Sequence, residues 1–187
     1  MLKIEKVVPP CDAVVWYSQV LKVPCAPVVE FGDPVNQLRD RMIVAMKHYR
    51  GIGLAANQIG VGQRVAILQK SIGEIVTIVN PEIIDSWGVE LNESEGCLSL
   101  PFTIENGIPK PIYARVKRAR KVKMRYQDEN GTWKELEGDN YFARAIMHEV
   151  DHLNGIVFID HISRLMADMV LVRYKRFLSD PRVRRVE

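Results

Sequence analysis

The sequence predicts an α+β fold: antiparallel or mixed β-sheets packed around a central helix that carries His148-Glu149-Val150-Asp151-His152, with an N-terminal helix before the sheets and a C-terminal helix after them. Three observations predict it. Helical spacing governs residues 33–50, short β-branched runs and turn residues fill the middle of the chain, and helical spacing returns in the last third. No strict alternation of strand and helix is present, so a parallel βαβ sheet is not expected.

The elements follow in order. Residues 1–30 carry Pro9, Pro10, Pro24 and Pro27 around an apolar stretch, Ala13 to Val20, and read as an irregular arm with one short helix. Asp33 is placed to cap a helix with Pro34 at its first position. Leu38, Met42, Ala45, Met46 and Tyr49 recur on one face, and Gly51 and Gly53 should end the helix near Arg50. Val65–Leu68 and Ile75–Val79 are strand-like runs, and Asn80-Pro81 marks a turn, with Ile83 and Ile84 opening the next strand. Val116–Tyr126 alternates in part, Asp128-Glu129-Asn130-Gly131 is a hairpin turn, and Thr132–Leu136 returns. Tyr141, Ala145, His148 and His152 then share one helix face that Gly155 should terminate. Ser163 caps a final helix carrying Leu165, Met166, Met169, Val170, Val172 and Phe177, which Pro181 stops.

Length and composition narrow the function classes. The 187 residues suffice for one domain with a real core, read as a single catalytic domain over 1–187, with 163–187 forming the C-terminal helix and a basic tail. The net charge of +3 is too small to argue for nucleic acid. No apolar run reaches the roughly 18 residues that span a bilayer, and the N-terminus lacks a secretory signal core, so a cytoplasmic enzyme without a membrane partner is expected. The three cysteines, Cys11, Cys25 and Cys97, are too few and too uneven for a disulfide framework, and Cys11 and Cys25 read as packing residues.

The chemistry concentrates in three segments. In H-E-x-x-H, the i and i+4 histidines stand one helical turn apart, so His148 and His152 can converge on one divalent cation. Glu149 leans beside that cation, where it can take a proton from water that the cation has made acidic. Two ligands are too few for such a site. A histidine at the position of Phe158, or a downstream glutamate, would complete known arrangements; neither is present, since only Glu187 follows Glu149. Cys97, in Glu95-Gly96-Cys97-Leu98-Ser99, is the first candidate for the third ligand, and His161 the second. The stretch Gly51-Ile52-Gly53-Leu54-Ala55-Ala56-Asn57-Gln58 is bare of bulk, which permits a second chain to approach its backbone. Gln58 stands there as a polar group whose amide can donate to a developing oxyanion.

Taken together, Gly51 to Gln58, Glu95 to Ser99 and His148 to Gly155 resemble the three signature motifs of the peptide deformylases, in order and in rough spacing, over residues 23–165. The resemblance implies an enzyme that removes the formyl group from the N-terminal methionine of new polypeptides. It implies a metal held by Cys97, His148 and His152, usually Fe²⁺, with Zn²⁺, Ni²⁺ or Co²⁺ able to substitute. It assigns catalysis to Glu149, with oxyanion contacts from Gln58 and the Leu98 backbone N–H. Substrate would lie along Ile52 and Gly53 and beside Glu95 and Gly96, with Tyr141 and Ala145 lining the methionine pocket and the stem of Arg144 close by. Asp151 is expected to pair with Arg118 behind the metal. The N-terminal 22 residues match poorly. The 102–113 stretch is longer and richer in proline than in common bacterial members, and Tyr113 falls near the place where those carry a substrate-contacting arginine.

Two other readings stand beside it. A metallopeptidase uses the same H-E-x-x-H in a cleft for an internal amide. A non-enzymatic RNA binder is suggested by Arg115, Lys117, Arg118, Arg120, Lys121, Lys123 and Arg125, with Arg173, Lys175, Arg176, Arg182, Arg184 and Arg185 in the tail. Since the substrate of a deformylase emerges from a ribosome, the basic C-terminal helix is expected to bind ribosomes without sequence-specific nucleic-acid recognition.

Overall fold

The computed structural model describes Tyr17, residues 19–180 and Val183. The expectations for residues 1–16, Pro181 and the tail arginines at 182, 184 and 185 lie outside the described residues.

Helix α1 spans Asp33–His48. Pro34 sits in its first turn, where a missing N–H costs nothing. The N-cap is Gly32 rather than Asp33; Asp33 is the first helical residue, where its charge complements the positive helix end. Val35, Leu38, Met42, Ala45 and Met46 are buried as the spacing predicts. The helix stops two residues early, because Arg50 turns out of it with φ 57.

One sheet replaces the several sheets expected. Strands β1 (Gly53–Ala55), β2 (Val65–Ser71), β3 (Glu74–Glu105), β4 (Ile108–Gln127) and β5 (Trp133–Asp139) lie in chain order, each antiparallel to the next. The parallel component reduces, among the described residues, to an isolated bridge between Ala26 and Gln63. Strands β3 and β4 form a long hairpin that turns at Asn106-Gly107, with φ 52 and 76. That pair of left-handed residues matches the twist of the flanking strands, so the 102–113 stretch is a paired hairpin end rather than a loop.

The turn expected at Asn80-Pro81 is instead a break in register within β3, between Val79 and Glu82. Asn80 takes φ 49, and its side chain bonds both backbone groups of Val28 and Gln127 Oε1, each at 2.8–2.9 Å. Those bonds hold the bulged residue in place, so the strand continues past it. The Asp128 turn forms as read: its carboxylate accepts from the N–H groups of Asn130 and Thr132.

Helix α2 (Asn140–Leu153) packs on β4, β5, β2 and β1. Gly155 ends it with φ 75, and a side chain there would strike the Lys22 carbonyl carbon at 2.8 Å. Helix α3 (Arg164–Leu178) starts at Ser163, whose hydroxyl accepts from Met166 N–H. It buries Val170, Tyr174 and Phe177, while Leu165, Met166, Met169 and Val172 stay exposed. No described helix is long and apolar enough to cross a membrane.

Candidate metal centre and active site

Strand β3 and helix α2 bring three donors together. Cys97 Sγ lies 3.2 Å from His152 Nε2, the His148 and His152 ring centroids are 4.8 Å apart, and one ligand atom from each residue falls within 4.8 Å of the others. All three residues are buried. A thiolate and two imidazoles converging this tightly fit a tetrahedral or expandable divalent site with room for one more ligand. Burial and the neighbouring His148 push the His152 ring well below its usual pKa, so it stays neutral, as a ligand must. Its Nδ1 has no hydrogen-bond partner among the described residues.

His148 is oriented from behind. Its Nδ1 meets Glu95 Oε1 at 2.6 Å, which turns Nε2 toward the donor cluster. Glu95 was expected to touch substrate. It lines the cavity, and its carboxylate is also held from within the protein: Arg118 donates at 2.8 and 3.2 Å, Arg144 donates at 3.0 Å, and only 5% of the residue is exposed. Burial disfavours the charged form, but the bonds from His148 and Arg118 outweigh it and hold the Glu95 carboxyl well below the usual carboxylate range. Arg118 reaches on to Asp151 at 2.6 Å, which places the expected pair in contact.

His161, the second candidate ligand, lies away from the donors. Its Nε2 faces Asp151 Oδ2 at 2.7 Å and Arg118 at 3.3 Å, because the chain leaves α2 at Gly155 before reaching it. Arg144 has a further role. Beyond lining the cavity with its stem, its guanidinium also donates to the carbonyls of Val116 and Leu91 at 2.9 Å, tying α2 to the hairpin.

Glu149 is fully buried beside Gly53. A Cβ on Gly53 would sit 2.9 Å from the Glu149 carboxyl carbon and 3.0 Å from Cγ, so the missing side chain is what admits the glutamate. Burial pushes the Glu149 carboxyl up to about 7, His148 opposes that, and Glu95 and Asp151 add to it. Oε2 has no partner among the described residues. A carboxyl raised in this way by burial and without a partner at one oxygen can both take and return a proton.

Gln58 stands in a short 3-10 turn, Ala56–Ile59, directly after β1. Its Oε1 accepts the Ala55 N–H at 2.9 Å, which leaves Nε2 directed to Ser99 Oγ at 3.2 Å and Cys97 Sγ at 3.6 Å. Leu98 falls where the β3–β4 ladder is interrupted between Gly96 and Pro101. A cavity of about 210 Å³ opens onto His148 and Glu149, and Ile52, Gly53, Glu95, Gly96, Tyr141 and Ala145 are among its lining residues. Tyr113 lies over Gly96, its ring 2.7 Å from where a Cβ would stand.

Three contacts escape a reading of the sequence. Asn57 Nδ2 donates to the His152 carbonyl at 2.7 Å, Ser99 receives Gln58, and Arg144 grips Glu95. Asn57 and Ser99 did lie inside the singled-out segments, and that neighbourhood was the available signal. The basic run on β4 is largely spoken for: Lys117 meets Glu90, Arg120 meets Asp139, Lys123 meets Glu135, Arg125 meets Glu82, and Arg118 points inward. Five of the seven basic residues read as an RNA-binding run thus meet an acidic side chain.

Comparison with known proteins returns one answer. The family model described as polypeptide deformylase matches residues 11–168, beginning earlier than the motifs alone indicated. A peptide deformylase of Acidobacterium capsulatum is 41% identical over 161 residues, covering 84% of this chain and 89% of that protein. One from Thermotoga sp. (strain RQ2) is 37% identical, covering 86% and 91%. Among solved structures, the peptide deformylase from Legionella pneumophila aligns with a TM-score of 0.81 at 34% identity, over 90% of this chain and 96% of that one. The one from Synechococcus elongatus in complex with actinonin aligns at 0.79 and 32% identity, over 94% and 91%.

Proposed function

The chain belongs to the polypeptide deformylase family, metal-dependent enzymes that remove the N-formyl group from newly made polypeptides, and from that premise we propose how its own residues divide the work. Cys97, His148 and His152 hold the metal, with Fe²⁺ the resident ion and Zn²⁺, Ni²⁺ or Co²⁺ able to stand in. The observation that carries this reading is the triangle of three donor atoms, all within 4.8 Å, opening beside Glu149 and the Gln58 amide. When bound, the cation supplies a Lewis acid that makes water acidic and polarises the formyl oxygen.

The peptide lies extended along Ile52 and Gly53 on one side and Gly96 on the other, pairing through backbone groups, so its sequence beyond the first residue is loosely read. Tyr141 and Ala145 receive the methionine side chain. Glu149 takes a proton from the attacking water as its oxygen joins the formyl carbon. Gln58 Nε2 and the Leu98 N–H donate to the oxyanion that develops there. Glu149 then passes its proton to the methionine nitrogen as the C–N bond breaks, leaving formate and a free amine. Glu95 orients His148, and Arg118 with Asp151 braces Glu95 in turn.

In this reading α2 is the central element, and residues 1–187 form one catalytic domain acting in the cytoplasm, with 1–22 as an arm and 163–187 as a helix and basic tail. The tail and α3 meet the ribosome through charge. Because α3 buries Val170, Tyr174 and Phe177, the test is charge reversal at its exposed Arg173, Lys175 and Arg176, not truncation. Unchanged, salt-insensitive ribosome binding by that variant ends the idea.

The decisive assay supplies formyl-Met-Ala-Ser to protein purified without oxygen, with its metal content measured. Formate release at one metal per chain, abolished by a chelator and restored by Fe²⁺, is expected. Activity that persists in metal-free protein, or cleavage inside the peptide without formate, overturns the assignment.

A further inference from the structure

The cavity in front of His148 and Glu149 has two walls of different origin. One is the stretch that leaves α1, including Arg50; the other is the outer part of the β3–β4 hairpin, including Lys110. Both cations line the same cavity. Arg50 adopts φ 57, a left-handed conformation that costs a residue with a Cβ about 1–2 kcal/mol. Its side chain is exposed and forms no hydrogen bond or ion pair among the described residues. Lys110 has one ion pair, with Glu105 at 4.0 Å, and that carboxylate is itself 64% exposed. A pair so long and so wet contributes little.

The acids of the cavity do not balance these charges. Glu95 is neutralised by Arg118 and Arg144, and Glu149 sits buried on the floor. The mouth therefore presents two positive groups, Arg50 without an anion partner among the described residues and Lys110 with a single long, exposed one. Position along the peptide follows from chain geometry. Gly53 abuts Glu149, where the formyl group must come. Arg50 precedes Gly53 by three residues, so at roughly 3.3 Å per extended residue it lies at most about 10 Å further out. A peptide laid along this wall reaches that level with its second or third residue.

We propose that this mouth selects formyl-methionyl peptides carrying Asp or Glu at the second or third residue. The inference rests on the deformylase reading given above and names the substrate class within it. The attraction is equal before and during the reaction, so it lowers KM and leaves kcat alone. Two rim pairs, attractive for an acidic peptide and repulsive for a basic one, should separate the two by on the order of tenfold in kcat/KM.

The test uses the metal-loaded full chain with formyl-Met-Ala-Ala, formyl-Met-Glu-Glu and formyl-Met-Lys-Lys, followed by formate release. The glutamate peptide should lead the lysine peptide by that factor, through KM. The lead should contract as salt rises from about 0.02 M to about 0.5 M, where screening shortens to a few ångströms. It should vanish in Arg50→Asn/Lys110→Gln, in which asparagine tolerates the left-handed backbone. Equal kcat/KM for the charged peptides, while the alanine peptide is turned over, overturns the proposal. So does a preference that ignores salt in the unaltered protein or survives in the double variant. No formate from any of the three would instead refute the deformylase reading itself, and the proposal with it.

Discussion

Glu95→Gln is the most informative single change in this molecule. The native carboxylate accepts from His148 at 2.6 Å, from Arg118 at 2.8 and 3.2 Å, and from Arg144 at 3.0 Å, with nothing but donors around it. Glutamine keeps the volume but puts an amine where an oxygen must accept, and it removes the negative charge that two buried guanidinium groups share. Arg118 retains Asp151, whereas Arg144 retains two carbonyls and a distant Glu93 at 3.8 Å. Breaking a buried pair by removing one partner costs about 3–5 kcal/mol. In a domain of this size each kcal/mol lowers Tm by about 2–4 °C, so a fall of about 10 °C is expected. The pH dependence has a definite sign. The folded carboxyl is held below its unfolded value near 4.3, so its stabilisation is complete above about pH 4.3 and is lost as pH falls toward the folded pKa. The gap between native and variant should therefore be widest at neutrality and should narrow below about pH 4. Urea and thermal unfolding of the metal-loaded proteins measure both. A variant within about 1 kcal/mol of the native protein at pH 7, still holding one metal, would refute the claim that this carboxylate organises the site.

Glu149→Gln should keep its metal and its fold yet lose at least about 100-fold in kcat, since proton transfer by a positioned group is worth about 10²–10⁴; equal formate release from the variant contradicts the role assigned to it. Gly53→Ala drives a methyl into the buried Glu149 carboxyl, so kcat should drop by about 100-fold with stability changed by about 1–3 kcal/mol, and kinetics within about threefold of native would show that the carboxylate can move aside freely. Asn80→Ala loses three hydrogen bonds and places alanine at φ 49, for a combined cost of about 2–4 kcal/mol in chemical denaturation, with metal content and kcat retained; a cost under about 0.5 kcal/mol would mean the bulge holds itself.

Much of this site lies within reach of a sequence because its spacing is set by backbone geometry. A helix with 3.6 residues per turn brings His148 and His152 to one side wherever the helix lies, and places Glu149 beside them. The Asp128 hairpin and the Ser163 cap are equally local, each closed by bonds within four residues. The Asn80 turn failed for the opposite reason. Its signal is local, but the bonds that decide it come from Val28 and Gln127, 52 and 47 residues away.

By itself, then, the chain determined the helix that carries two imidazoles, the bare segment before Gln58, and a short list of third ligands, together with the family these motifs resemble. Only the tertiary structure placed Cys97 and His161 relative to the histidine pair: the hairpin carries the thiol into the cluster, while the turn at Gly155 delivers His161 to Asp151. It also decided that Glu95, which lines the cavity, bonds His148 and two arginines. Both outcomes depend on where separate elements meet. That is set by burial of whole faces, and no spacing within one element encodes it.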